Sequence, residues 1–133
     1  MSDGRIVSPE DIVSFQNGTG STITANKVVM RDSTTTEGIK LPTAVTDQCV
    51  GVTMRDIPTG EYGPLQRAGR AYVTAGAAMA TAGVEVMPTT AGKVIAWTAS
   101  ADDNAFSIGS IVGTASADGD TVLIDLNLHF HQG

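Results

Sequence analysis

The sequence has few of the residues on which enzyme active sites depend. It contains one cysteine and two histidines, and both histidines lie near the C-terminal end, far in sequence from Cys49. No G-x-S-x-G motif is present to place a nucleophilic serine. Two acidic pairs, Asp102 with Asp103 and Asp118 with Asp120, lie in turn-rich segments where aspartate commonly caps the backbone. We therefore expect no enzyme activity, no catalytic residues and no cofactor.

The lack of further cysteines and of long apolar runs restricts where the protein is made and what it contacts. A single cysteine excludes an intrachain disulfide, so the fold needs no oxidising compartment, and Cys49 is interpreted as a buried small hydrophobe. No stretch approaches the ~18 consecutive apolar residues that span a bilayer, and the first residues do not resemble a secretion signal. These features predict a soluble protein that is made in the cytoplasm and has no membrane partner.

Basic residues are also scarce. Eight lysines and arginines against fourteen acidic residues give a formal net charge of −6, which repels nucleic acid and anionic lipid. The only basic concentration consists of Arg55, Arg67 and Arg70, with Tyr62 and Tyr72 nearby in sequence. Nucleic-acid grooves normally carry more basic residues than this. We expect these arginines to pair with neighbouring acids or with a partner protein, and no nucleic acid to bind.

Small residues are abundant in residues 69–97, where twelve of the twenty-nine positions are alanine or glycine. Gly92 and Lys93 suggest a phosphate-binding loop, but a Walker motif also needs an earlier glycine and a hydroxyl residue after the lysine. Met87 and Val94 occupy those two positions. The segment is therefore interpreted as a linker or as closely packed strands and turns.

Short runs rich in valine, isoleucine and threonine recur between glycine and proline turn signals from Thr22 onward, which predicts an all-β fold. No window keeps the 3.6-residue apolar period of a helix over eleven or more residues. The predicted strands are Thr22–Arg31, Gly38–Leu41, Cys49–Arg55, Gly69–Thr74, Val84–Met87, Lys93–Thr98, Ser107–Thr114 and Thr121–Phe130. Pro42, Pro58, Gly60, Gly63, Pro64, Pro88 and Gly92 are interpreted as the breaks between them.

The last predicted strand, Thr121–Phe130, has the clearest pattern. Apolar residues alternate with polar ones, Leu123 excepted, so one face of this strand is predicted to be buried. Asp118 and Gly119 precede it, and this dipeptide suits the positive φ of a two-residue hairpin turn. We therefore expect a tight hairpin between the last two strands.

Residues 1–20 are polar, contain Pro9 and end in a turn-rich NGTG, so they are predicted to form an N-terminal arm outside a single domain at 21–133. A solvated tail does not need five large apolar side chains, and these indicate that the arm packs on its own domain or on another chain. Those five, with a neighbouring arginine, are the candidate binding residues: Arg5, Ile6, Val7, Ile12, Val13 and Phe15.

His129 and His131 are the one candidate metal pair. Residues two apart on a strand project from the same face about 6–7 Å apart, so both imidazoles reach one ion. Two histidines are an incomplete site, and an exposed tail is the favoured interpretation. Copies related by a three-fold axis would complete the site. We therefore expect no metal in a single chain.

The C-terminal two thirds of the chain resembles the head-decoration, or capsid cement, proteins of tailed bacteriophages. The resemblance lies in the order of GRAYVTAGAAMATAGVEVMP, TTAGKVIAW and SIGSIVGTASADGDTVLIDL, with CVGVTM before them. These segments are similar to that family's G-x-A-x-V strand, AGAA, AG-x-x-V, G-K-V hairpin, IG-x-x-x-x-x-A and final G-D-x-V strand.

The resemblance implies a compact small β-barrel or β-tulip-like domain that assembles as a homotrimer. It also implies a structural virion protein, made in the host cytoplasm, that binds the outer surface of the expanded capsid and stabilises it. The major capsid protein is then the partner, and residues 1–20 are the implied capsid-binding arm. Two other classes stay open: a tail, baseplate or spike β-module, and a small ligand-binding β-barrel.

Overall fold

A computed structural model describes residues 12–97 and 105–130, and ten strands carry the fold of these residues. The prediction of an all-β class is confirmed, because the strands form one closed barrel and one five-stranded sheet. The one short helical segment among them is a 3₁₀ turn at Thr90–Gly92. No helix in the two described ranges is long and apolar enough to cross a membrane.

The barrel is formed by the first five strands: β1 (Ile12–Asn17), β2 (Val28–Asp32), β3 (Gly38–Lys40), β4 (Cys49–Thr53) and β5 (Tyr62–Gln66). Their order around the barrel is β1-β3-β2-β4-β5, and β5 pairs with β1 to close it. The β1–β3 pair is parallel and the other four pairs are antiparallel. Its interior is filled by the buried side chains Ile23, Val29, Ile39, Ile57 and Leu65.

The second sheet is formed by β6 (Ala68–Thr74), β7 (Glu85–Pro88), β8 (Val94–Ala96), β9 (Phe106–Ile111) and β10 (Thr121–Phe130). Its strand order is β6-β10-β9-β7-β8, which places β10 between β6 and β9. The larger hydrophobic core lies under this sheet. Barrel residues Val28, Cys49 and Val52 contribute to it, so the two sheets share a packed boundary.

The alternation predicted for β10 is confirmed. Val122, Ile124 and Leu126 are buried in the larger core, whereas Asp125 and Asn127 on the opposite face are exposed. Fully burying an aliphatic side chain of this size contributes about 1.5–3 kcal/mol, so the inner face of β10 is a main source of stability.

Small residues in the strands permit close approach to neighbouring groups. Within residues 69–97 this holds at Gly92, where a Cβ would lie 2.8 Å from Cδ2 of Leu41, whereas a Cβ at Gly83 would meet nothing within 4 Å. Gly109 in β9 shows the effect most strongly, because a Cβ built there would lie 2.0 Å from the carbonyl oxygen of Asp125 in β10. In the barrel, a Cβ at Gly63 would lie 2.4 Å from Cγ1 of Ile57. Both positions therefore exclude any side chain while their neighbours keep these places.

The N-terminal segment differs from its prediction. Residues 12–17, expected to belong to an arm outside the domain, form β1 and pair with both β3 and β5. Asn17, which looks like the start of a turn, is buried at the end of this strand. Its Nδ2 donates to the carbonyl oxygens of Ser21 and Ile57, each at 2.8 Å, so the polar side chain is satisfied inside the fold.

The prediction also missed β5, because Gly63 and Pro64 were interpreted as breakers and both lie inside it. Pro64 pairs with Ser14 of β1, and its carbonyl accepts the amide of Met54 at 3.3 Å. Since β4 has already ended at Thr53, the ladder does not need the amide that proline lacks.

The prediction of a tight hairpin before β10 was wrong, although a turn is present at Asp118 and Gly119. The amide of Asp120 donates to the carbonyl of Ala117 at 3.2 Å, which places Asp118 and Gly119 at the centre of a turn, with a φ of 94° at Gly119. However, β9 ends at Ile111 and β10 begins at Thr121, so a longer loop joins them. That loop pairs with another part of the chain, because Ala115 bridges to Met79.

Candidate functional site

A groove of about 180 Å³ lies between the end of β4 and the free edge of β6. Two of the three large hydrophobic side chains that are exposed in the described residues lie in its wall: Met54 is 44% exposed and Tyr72 is 58% exposed. The third, Tyr62, lies on β5 outside the groove and is 48% exposed. The groove is lined by Asn26, Val52, Thr53, Met54, Gln66, Arg70, Ala71 and Tyr72.

The groove contains an open strand edge. β6 pairs with β10 on one side only, and the amide of Thr74 points away from β10, donating to the carbonyl of Asn26 at 2.9 Å. Because backbone groups alternate in direction along a strand, the amides of Arg70 and Tyr72 point into the groove as well. Within residues 12–97 and 105–130, neither amide has a hydrogen-bond partner on that side.

Gln66 partly satisfies this edge. Its Nε2 donates to the carbonyl of Ala68 at 2.9 Å and to the carbonyl of Arg70 at 2.7 Å. The side chain therefore takes the place that a neighbouring strand would have near the start of β6. Farther along, the Tyr72 backbone has no partner on the groove side among the described residues, so these residues cap one end of the edge only.

The arginine concentration predicted from the sequence lies around this groove, and its members have different partners. Arg70 forms an exposed ion pair with Asp125 of β10 at 3.1 Å. Arg55 donates to the backbone oxygens of Asp56 and Tyr62, each at 3.2 Å. Arg67 is exposed in the link between β5 and β6, and no carboxylate in the described residues lies within ion-pair distance of it.

A second, open cavity of about 280 Å³ lies on the outer face of the second sheet and is polar. Its lining residues are Glu85, Gly109, Ser110, Asn127 and His129. His129 Nε2 lies 3.3 Å from Glu85 Oε1, and its Nδ1 lies 2.8 Å from the carbonyl oxygen of Asn127. These contacts tie the C-terminal part of β10 across β9 to β7.

The metal candidate is tested only in part. No group of three or more His, Cys, Asp or Glu side chains within the described ranges is arranged to hold a metal ion. His129 contacts Glu85, whereas His131 lies outside the described residues. The suggestion of a shared site on a three-fold axis therefore stays a prediction.

The candidate arm residues fall into two groups. Val13 and Phe15 are half-buried in β1 and pack against the barrel core, and Ile12 is half-buried beside them. The guanidinium of Arg31 lies 5.2 Å from the centre of the Phe15 ring, which covers that ring on its outer side. The other three candidates, Arg5, Ile6 and Val7, lie outside the described residues.

Groups that resemble catalytic ones have structural roles. Burial, with a smaller contribution from Asp47, raises the pKa of the Cys49 thiol to about 12, so it stays protonated and unreactive. Asp120 accepts hydrogen bonds from Ser116 Oγ and from the amides of Ser116 and Ala117, and these bonds lower its pKa. Asp118 pairs with Lys93 at 2.9 Å. The earlier acidic pair, at 102–103, lies outside the described residues.

The groove was not found from the sequence, because it depends on where β6 runs after leaving the barrel. Gly69, the second residue of β6, has a φ of 85°, and Thr74 at the end of the same strand donates to Asn26 across the groove. The available signal was the exposed alternation of Arg70 and Tyr72 in β6, which was interpreted only as part of a basic concentration.

Comparison with known proteins relates this architecture to phage capsids. The sequence profile of the phage cement protein family matches residues 7–126, which include β1 to β9 and the first six residues of β10. No curated protein sequence gives a match. Among solved structures, the head fiber gp8.5 N base of bacteriophage phi29 is similar, with a TM-score of 0.67 and 17% sequence identity over 92% of this chain and 99% of that one. At this identity the structural similarity shows a shared fold.

Proposed function

We propose, from the premise that this chain belongs to the phage cement protein family, that it binds the outer surface of the expanded capsid as a homotrimer and stabilises the shell. The observation that carries the proposal is the extent of the family match, which runs from residue 7 to residue 126. Membership makes the protein a structural component of the virion. The partner we propose is the major capsid protein.

Charge and fold support a position on the outside of the shell. The net charge of −6 disfavours contact with packaged DNA, and a protein bound to the outer surface needs none. The closed barrel leaves few open strand edges, which suits a surface exposed at high copy number. The similar fold of a phage head fiber base is compatible with the same location.

The N-terminal residues are the proposed contact with the shell. Arg5, Ile6 and Val7 precede β1 and supply one charged and two apolar side chains for an extended contact. An arm of this kind gains affinity by adding a strand to an exposed sheet edge. Three arms on one trimer then bind cooperatively, because the first contact raises the effective concentration of the other two.

The first test is the mass of the purified protein in solution, followed by co-sedimentation with undecorated expanded heads. We expect about three times the 13.7 kDa chain mass and binding to the heads. A monomer that does not bind heads would refute the proposal.

The arm is tested with the double change Ile6→Asp and Val7→Asp. A matched control, Ser2→Asp with Ser8→Asp, adds the same charge to the same segment. We expect the first pair to abolish head binding with the mass and the circular-dichroism spectrum unchanged, because β1 begins only at Ile12. Equal head binding by both variants would refute the proposed contact between the N-terminal residues and the shell.

A tail, baseplate or spike location is the second candidate. Immunogold labelling of intact virions decides between it and the head, since label on the tail would exclude a cement role.

A further inference from the structure

The groove between β4 and β6 has the features of a site for an extended chain. One wall is a strand edge with open backbone amides at Arg70 and Tyr72, and the other carries the exposed side chain of Met54. An added strand pairs with such an edge through its main chain and places alternate side chains against the apolar wall. The groove therefore recognises extended backbone with apolar side chains.

The N-terminus of the described fold lies beside this groove. Ile12 is the register partner of Gln66, and Gln66 lines the groove. Residues 1–11 are therefore attached about one strand spacing, roughly 5 Å, from the groove wall. Eleven extended residues span up to about 36 Å, which exceeds the roughly 23 Å length of the seven-residue β6.

The charges on the segment and on the groove are complementary. Residues 1–11 contain three acidic side chains and one arginine, together with Ile6 and Val7. The groove is flanked by Arg67, which has no ion-pair partner in the described residues, and by Arg70. Arg70 also pairs with Asp125, so Arg67 is the arginine that remains available for an acidic segment.

We propose that residues 1–11 dock as an extended strand in the groove of their own copy, along the open edge of β6. Docking pairs the amides of Arg70 and Tyr72 and covers Met54. It also hides a strand edge through which copies would otherwise associate. The inference concerns the free protein and does not rest on shell binding, so either can fail without the other.

Amide hydrogen exchange on the full chain tests the docking directly. The amides of Ala71 and Val73 point toward β10 and serve as internal references, whereas those of Arg70 and Tyr72 point into the groove. We expect all four amides to be protected. Fast exchange at Arg70 and Tyr72 beside slow exchange at the references would overturn the proposal.

Variants of full length separate docking from general stability. Ile6→Asp with Val7→Asp removes the apolar contacts, and we expect exchange at Arg70 and Tyr72 to become roughly tenfold faster, as for the loss of one hydrogen bond of ordinary net strength. The pair Ser2→Asp with Ser8→Asp is the matched control and should leave the exchange rates of Arg70 and Tyr72 unchanged. Equal rates in both variants would overturn the proposal.

A spin label identifies which copy supplies the segment. Ser8→Cys adds a reactive thiol, and Cys49 does not compete for the label because its pKa is raised to about 12 by burial. We expect loss of the Met54 and Tyr72 amide signals within the labelled copy. Loss only in an unlabelled, isotope-enriched copy mixed with it would overturn docking in the same chain.

Discussion

Replacing Gly109 with alanine tests whether close backbone approach holds the second sheet together. The new Cβ would lie 2.0 Å from the carbonyl oxygen of Asp125, 2.9 Å from its carbonyl carbon and 3.1 Å from the amide nitrogen of Asn127. All three atoms belong to the backbone of β10, so no side-chain rotation relieves the contact. In addition, Gly109 has a φ of 152°, which residues with a side chain rarely adopt.

The magnitude follows from these two effects. An unfavourable φ costs about 1–3 kcal/mol, and overpacking against a fixed neighbour costs about 1–3 kcal/mol more. We therefore expect Gly109→Ala to lower the free energy of unfolding by about 4 kcal/mol. In a chain of this size each kcal/mol corresponds to about 4 °C, so the melting temperature should fall by roughly 15 °C.

Thermal melts followed by circular dichroism, at one protein concentration, measure the effect. Gly119→Ala is the matched control for backbone strain alone, because its φ is 94° and its Cβ would meet nothing within 4 Å. Gly20→Ala has open space and no positive φ, so its melting temperature should not change. A fall for Gly109→Ala no larger than that for Gly119→Ala would refute the packing argument.

Two further predictions concern β10 and the loop before it. Leu126→Asp places a charge in the larger core and should lower the free energy of unfolding by about 3–5 kcal/mol. Asn127→Asp, on the exposed face, should leave the melting temperature nearly unchanged. Similar melting temperatures for the two variants would contradict the face assignment. The hydrogen bonds to Asp120 lower its pKa below the ordinary 3.8, so they add stability above pH 3.8 that is lost as the pH falls through the lowered pKa. Asp120→Asn should therefore make the free energy of unfolding depend less on pH in that acid range. Unfolding curves recorded above and below pH 3.8 measure this, and a pH dependence equal to that of the unmodified chain would contradict it.

The strands that could be predicted from the sequence are those whose own residues carry the signal. β10 alternates over ten residues, so its bounds and its buried face follow from periodicity alone. Cys49 was likewise predicted to be buried, because it had no partner for a disulfide and no catalytic neighbour in sequence. The all-β class follows from the recurrence of such runs.

The strands that were missed owe their structure to distant partners. β1 has one exposed residue between Val13 and Phe15 and becomes a strand because β3 and β5 pair with it. β5 contains Gly63 and Pro64, which are unfavourable in most strands, and is kept by the packing of Ile57 against Gly63. The groove beside β6 depends on the same long-range arrangement, so no local pattern reveals it.

The position of β10 in the second sheet also sets the order in which the protein can form during synthesis. β10 lies between β6 and β9 and is the last of the described strands to leave the ribosome. Until it emerges, β6 lacks the one strand partner that it has among the described residues, and the core that Val122 and Ile124 complete stays open. The barrel, by contrast, has all its strands once residue 66 is made. A chain that ends before residue 121 therefore has every strand of the barrel but lacks β10, so it exposes apolar core surface and an unpaired strand edge, which are the features that make incomplete folds prone to aggregation.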